Sequence, residues 1–154
     1  MDIPQFLTEH RFFSGLDPEY TALFAKSASV RDVAPGKSLV HHGARAKSFF
    51  IVCDGSVRRE IPSLVGPPLV MHSIGPGDVL GWGWLIPPRQ WSFVARAEEP
   101  TRVIEFDGEA ILERCETDPQ FGYEVLKRFS LLMSERLRHT RMQMLKEWNP
   151  AGFG

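Results

Sequence analysis

Between Val30 and Phe106 no apolar run goes far before glycine or proline stops it, and this punctuation constrains the chain more than any other feature. The runs SVRDV, SLVHH, GARAK, SFFIVC, VRREI, LVMHSI, SFVARA and TRVIEF are rich in β-branched and aromatic residues, and Pro35-Gly36, Asp54-Gly55 and Pro76-Gly77-Asp78 supply the turns. Many short strands joined by such turns predict an antiparallel barrel or jelly roll, with Asp54-Gly55 the strongest hairpin signal of the three. In VRREI, Val57 and Arg59 alternate with Arg58 and Glu60, which predicts one wet edge of that hairpin.

Helical texture flanks this region. Asp17-Pro18-Glu19 reads as an N-cap followed by proline in the first turn, so the segment from 1 to about 29 is expected to carry a short helix with Leu23, Phe24 and Ala28 on its apolar face. After Phe106, Asp107 caps a short helix with Ala110, Ile111 and Leu112. Asp118 caps a second helix running from Pro119 to about Glu147, which at about 1.5 Å per residue would be about 43 Å long. The early part of that helix is apolar most of the way round. Beyond it only Met133, Leu137, Thr140 and Met144 remain in line below Phe129, at the spacing of a two-helix seam, with Arg136, Arg138, Arg141 and Lys146 around them. A homodimer paired through this helix is the expectation.

At 154 residues, with 43% apolar and 24% charged residues, the chain has room for one core, read as a single domain over 1–154: a helical segment to 29, a β-roll over 30–106, helices over 107–147 and a tail over 148–154. It shows no membrane span and no secretory signal, so a cytoplasmic location is expected. Cys53 and Cys115 sit in apolar contexts and read as buried small residues. The net charge of −1 argues against general nucleic-acid affinity, although residues 119–154 alone hold 6 basic and 3 acidic groups. No nucleophile elbow, Cys-x-x-Cys or paired-carboxylate motif suggests an enzyme, and no metal is expected: His41 and His42 alternate along a predicted strand, so their rings would point to opposite faces.

The order helix, eight-strand roll, short helix, long helix, together with GARAKSFFIVCDGSV and GPGDVLGWGWLIPPRQWSFVARAEEPTRVIEFD, resembles the cyclic nucleotide-binding domain of the catabolite activator protein (Crp/Fnr) superfamily over roughly Phe12 to Leu145. The resemblance implies a regulatory jelly roll that takes cAMP or cGMP in the loop after Gly81. There a short helix offers its amides to the cyclic phosphate, a glutamate after the glycine accepts from the ribose, and an arginine about ten residues on pairs with the phosphate. In this sequence the glutamate slot holds Trp82. The arginine slot, counted forward from Gly81 or back from Ala97, holds Trp91. The candidate pocket loop is Gly81, Trp82, Gly83, Trp84, Leu85, Arg89, Trp91 and Ser92, with Arg89 the nearest replacement cation and Ser92 a family-like small hydroxyl.

Three readings of the indoles stay open. They plug the pocket in place of a nucleotide, they line an aromatic cavity for a flat or apolar ligand, or they fill core. The resemblance also implies a winged helix-turn-helix after the long helix, and 148–154 is too short for one, so DNA binding by this chain alone is not expected. The functional expectation is a dimeric, ligand-responsive interaction module acting on an unidentified protein partner. The alternative is a tryptophan-plugged scaffold with no nucleotide ligand.

Overall fold

The computed structural model describes residues 1–148. Helix α1 (Ile3–Glu9), a 3-10 turn (Arg11–Phe13) and α2 (Pro18–Lys26) precede eight strands: β1 (Ala28–Val33), β2 (Ser38–Val40), β3 (Ser48–Asp54), β4 (Val57–Ile61), β5 (Leu69–Val70), β6 (Val79–Leu80), β7 (Val94–Ala97) and β8 (Thr101–Asp107). Helices α3 (Gly108–Thr117) and α4 (Pro119–Glu147) follow. The strands form two four-stranded antiparallel sheets, ordered β1-β8-β3-β6 and β2-β7-β4-β5, the arrangement of a jelly roll. No helix among the described residues is long and apolar enough to cross a membrane.

Local chemistry sets the helix starts. The carboxylates of Asp2, Asp17, Asp107 and Asp118 each accept from a first-turn amide of α1, α2, α3 and α4. Asp2 and α1 are additions to the sequence reading, which saw only the second of the two N-terminal helices.

The run Phe49-Phe50-Ile51-Val52 is buried without a break because β3 is covered on both faces. Alternation sends Phe49 outward to the helices, where its ring stacks on that of Phe106 at 4.4 Å and meets Phe129 edge-on at 5.2 Å. Phe50 points the other way and meets Trp91. One aromatic layer, with Phe12, Phe13, Phe24 and Phe121, thus bonds the helices to the outer face of the roll.

Several strand readings are corrected. GARAK forms no strand beyond a bridge at Arg45, and LVMHSI pairs as a strand at Leu69–Val70 alone. His41 and His42 lie in a turn after β2 and are exposed, so alternation along a strand does not govern their rings. Glu60 is not on a wet edge. It is 8% exposed and paired with Arg58 at 2.7 Å and Arg96 at 3.7 Å, so burial of its carboxylate is matched by two cations. Cys53 and Cys115 are half-buried free thiols, and burial pushes Cys115 up to about 11. Residues 149–154 of the expected tail lie outside the described residues.

Candidate functional site

Residues 81–92 form turns, with no helix whose first-turn amides face a ligand. Their backbone is stitched to residues 43–46: Gly43 donates to the Trp91 carbonyl at 2.8 Å, Trp91 donates to Ala44 at 2.9 Å, and Ala46 donates to Arg89 at 2.8 Å. With its backbone so pinned, Trp91 sends its indole inward, 6% exposed, against Phe50 and Phe93 and over Gly81. Gly81 has φ +101°, and a Cβ there would lie 2.5 Å from Cη2 of Trp91. Only glycine accepts both that backbone angle and that approach.

The remaining loop residues scatter. Trp84 is buried on the helix side, stacked on Phe49 at 5.4 Å and edge-on to Phe129 at 5.2 Å, with Nε1 donating to the Gly81 carbonyl at 3.3 Å. Its backbone passes so close to α3 that a Cβ on Gly108 would lie 2.9 Å from its own Cβ. Leu85 is buried too, whereas Arg89 and Ser92 are exposed and Gly83 is half-buried beside the Gln90 carbonyl. Half-buried Trp82 holds the Arg136 guanidinium 5.4 Å from its ring centroid. The structure therefore joins Gly81 with Trp91, turns Trp82 toward α4, and places Trp84 in the helix-sheet core.

On α4, four-residue steps advance by about 40° of rotation each, so the row Phe121, Val125, Phe129, Met133, Leu137 leaves the domain gradually. Phe129 is 0% exposed, wedged among Phe12, Phe49 and Trp84. It is withdrawn from the expected seam because it is core of its own chain. Met133 is half-buried, Thr140 is exposed, and Leu137 and Met144 are 51% and 64% exposed, as is Leu145 at 63%. Arg128 anchors the helix to the N-terminal segment: Nε donates to the Phe12 carbonyl at 2.8 Å and Nη2 to Ser14 at 2.7 Å, while Nη1 pairs with Glu124.

Sequence reading missed a cleft of about 1110 Å³ between the β4–β5 hairpin and α4, floored by 77–79. Arg59, Asp78, His72, Arg136 and His139 line it. Burial and the like charge of Arg59 lower Arg136 to about 10, with Asp78 opposing, and burial lowers Arg59 too. One sequence signal was available: Arg136 stands where the inward row of α4 would otherwise continue apolar.

The family model for the cyclic nucleotide-binding domain matches residues 30–118, more than half of the chain. The chain belongs to the cyclic nucleotide-binding domain family. Among solved structures it is similar to a putative cyclic nucleotide-binding protein from Geobacter metallireducens GS-15, at 24% identity and a TM-score of 0.80 over 89% of this chain and 99% of the other. It is also similar to the Thermus thermophilus catabolite activator protein, at 25% identity and a TM-score of 0.67 over 86% of this chain and 61% of the other. The regulatory domain of Toxoplasma gondii PKA, solved with cAMP, superposes with a TM-score of 0.70 at 19% identity, over 88% and 49%. No curated protein matches the sequence of this chain.

The cyclic nucleotide-binding domain is a regulatory family. Among the described residues no group of three His, Cys, Asp or Glu side chains converges as a metal site would require.

Proposed function

We propose that this chain is a dimeric regulatory module of the cyclic nucleotide-binding type whose phosphate loop is closed by tryptophan. It works by interaction with a protein partner and not by holding cAMP or cGMP in that loop. The reading is carried by the Trp91 indole, which lies on Gly81 where the family resemblance would put an arginine-bound phosphate. A buried indole offers one N–H donor and no charge to an anion, and the loop supplies no helix N-terminus to replace the missing cation. Pairing is supported by Leu137, Met144 and Leu145, large apolar side chains left exposed along one stretch of α4.

Calorimetry with cAMP and with cGMP tests the loop. No saturable heat is expected at millimolar nucleotide, and micromolar binding of either would overturn the reading. Trp82→Glu with Trp91→Arg is expected to create binding, and its failure in a folded protein would count against the slot assignment. Sedimentation is expected to give about twice 17.5 kDa.

A further inference from the structure

We propose that the outer surface of the closed loop, where residues 86–90 lie against the turn 41–47, is a docking surface for an acidic segment of a partner protein. It rests on the reading that the chain works through a protein partner, and it gives the place and the chemistry of that contact.

The surface is organised before any partner arrives. Arg45 and Gln90 form an antiparallel bridge, and the amides of Gly43, Ala46 and Trp91 stitch the two turns together. Leu85 and Trp91, both buried, fix 86–90 to the core at either end, so little ordering remains to be done on binding. At the tip the Arg89 amide donates to the Ile86 carbonyl at 3.1 Å, which closes a turn with Ile86 at one end and Arg89 at the other. Arg89 has φ +56°, in the left-handed region, and it is the one non-glycine residue with positive φ among the described residues. Glycine would hold this backbone at no steric cost. The strain is instead kept with a side chain that gives the fold nothing: Arg89 is exposed, and its guanidinium makes no hydrogen bond or ion pair among the described residues.

Charge sets the partner. Stretches 41–47 and 86–90 carry Arg45, Lys47 and Arg89 and no acidic residue, in a chain of net charge −1. All three cations are exposed, as are His41 and His42 beside them. The Lys47 side chain, like that of Arg89, has no partner among the described residues. Arg45 is paired with Glu109 at 2.9 Å, and both are well exposed, so water screens the contact and an incoming carboxylate competes for it. Ile86 is 40% exposed and is followed by exposed Pro87 and Pro88, an apolar centre with cations beside it, which is the layout of a protein interface. Three cations are too few to hold a nucleic-acid backbone, whose affinity grows with the number of phosphates neutralised. The segment that fits is therefore acidic and carries a large apolar side chain to cover Ile86.

The probe is a synthetic peptide of sequence Glu-Leu-Glu-Glu-Leu-Glu with blocked ends, titrated into the full chain labelled with nitrogen-15 and followed by amide chemical shifts. The shifts are expected to saturate and to map to 41–47 and 86–90, and the same peptide with lysine for glutamate is expected to give none. Raising salt from about 0.05 M to about 0.5 M should weaken binding about tenfold. Arg89→Gly separates binding from folding. It is expected to leave Tm unchanged or raised, because glycine relieves the left-handed backbone, while weakening the peptide about threefold or more. Arg89→Glu is expected to weaken it further and serves as the second variant. No saturable shift, shifts centred elsewhere, an equal response to the lysine peptide, or unchanged affinity in both variants would overturn the proposal. So would a Tm for Arg89→Gly lowered by more than about 3 °C, which would give Arg89 a structural role. A single-stranded oligonucleotide that binds this face more tightly than the acidic peptide would overturn it in favour of nucleic acid. Failure of the peptide leaves the closed loop standing, since the nucleotide titrations test that separately.

Discussion

Trp91→Ala measures how much the closed loop contributes to the fold. The indole is 6% exposed, rests on Gly81 and touches Phe50 and Phe93, while amide contacts to Gly43 and Ala44 hold its backbone on both sides. Because that backbone is pinned, the walls have little freedom to collapse into the vacated space. Large-to-small changes of this kind cost about 3–5 kcal/mol. Area arithmetic agrees: an indole burying roughly 150–200 Å² of apolar surface at about 25 cal/mol per Å² contributes about 4–5 kcal/mol. For a chain of this length such a loss lowers Tm by roughly 8–20 °C. Urea titration should show the midpoint falling at unchanged slope, the sign of lost stability without a change in the surface exposed on unfolding. Trp82→Ala is the control. That ring is half-buried, packed against the edge of the core and against Arg136, and its loss should cost about 2 kcal/mol. A loss below about 1.5 kcal/mol for Trp91→Ala, or a loss for Trp82→Ala that exceeds that of Trp91→Ala, would refute the reasoning that Trp91 fills the cradle.

Leu137→Glu places a charge on the proposed seam and should halve the sedimenting mass without lowering helix content; a wild-type chain that is already monomeric at tens of micromolar would remove the basis for pairing. Phe129→Ala, by contrast, should cost about 3–5 kcal/mol in urea unfolding of the monomer itself, because its ring is entirely inside its own chain. Gly81→Ala should expel the Trp91 indole, seen as a red shift of tryptophan emission, since the new Cβ would lie 2.5 Å from Cη2 and the backbone strain alone costs about 1–3 kcal/mol. His10 supplies a pH dependence. Burial holds its imidazole below the ordinary value, against the pull of the Gly77 carbonyl at 2.7 Å and of Asp78, and with Arg11 adding to the depression. The unfolded chain therefore takes up a proton below about pH 6.5 that the folded chain resists, so stability present above that pH is lost as pH falls toward the lowered pKa. Thermal unfolding between pH 7.5 and 5.5 should show a declining Tm, and His10→Gln should flatten the decline.

The features legible in the sequence are those set by neighbours along the chain. Asp17, Asp107 and Asp118 each cap a helix a few residues on, and the limits of α4 at Pro119 and Glu147 follow from a capping aspartate and an unbroken run of helix formers. Seven of the eight strands coincide with β-rich runs set off by turn residues, whereas β6 (Val79–Leu80) was not read and GARAK was read as a strand that does not form. Strand limits were not legible, because pairing depends on the partner strand: His41, His42, Ser92 and Phe93 have strand-like sequence but fall outside β2 and β7.

For the loop, counting from Gly81 and from Ala97 puts indoles where the family resemblance expects a glutamate and an arginine, and the count needs no structure. Which way each indole turns does need it, since neighbours of similar chemistry go to opposite sides of one backbone: Trp91 into the roll over Gly81, Trp84 into the helix layer beside Phe129. The cleft with Arg59 and Arg136 is likewise a product of folding, because these residues are remote in sequence and meet only where α4 crosses the β4–β5 hairpin. Sequence by itself determined the order of the larger elements, three of the four helix caps and the cluster of indoles after Gly81, all of which depend on short-range spacing. Only the tertiary structure decided that Phe129 is core, that the Trp91 indole lies buried over Gly81, and that two cations share one cleft, because burial is conferred by residues from distant parts of the chain.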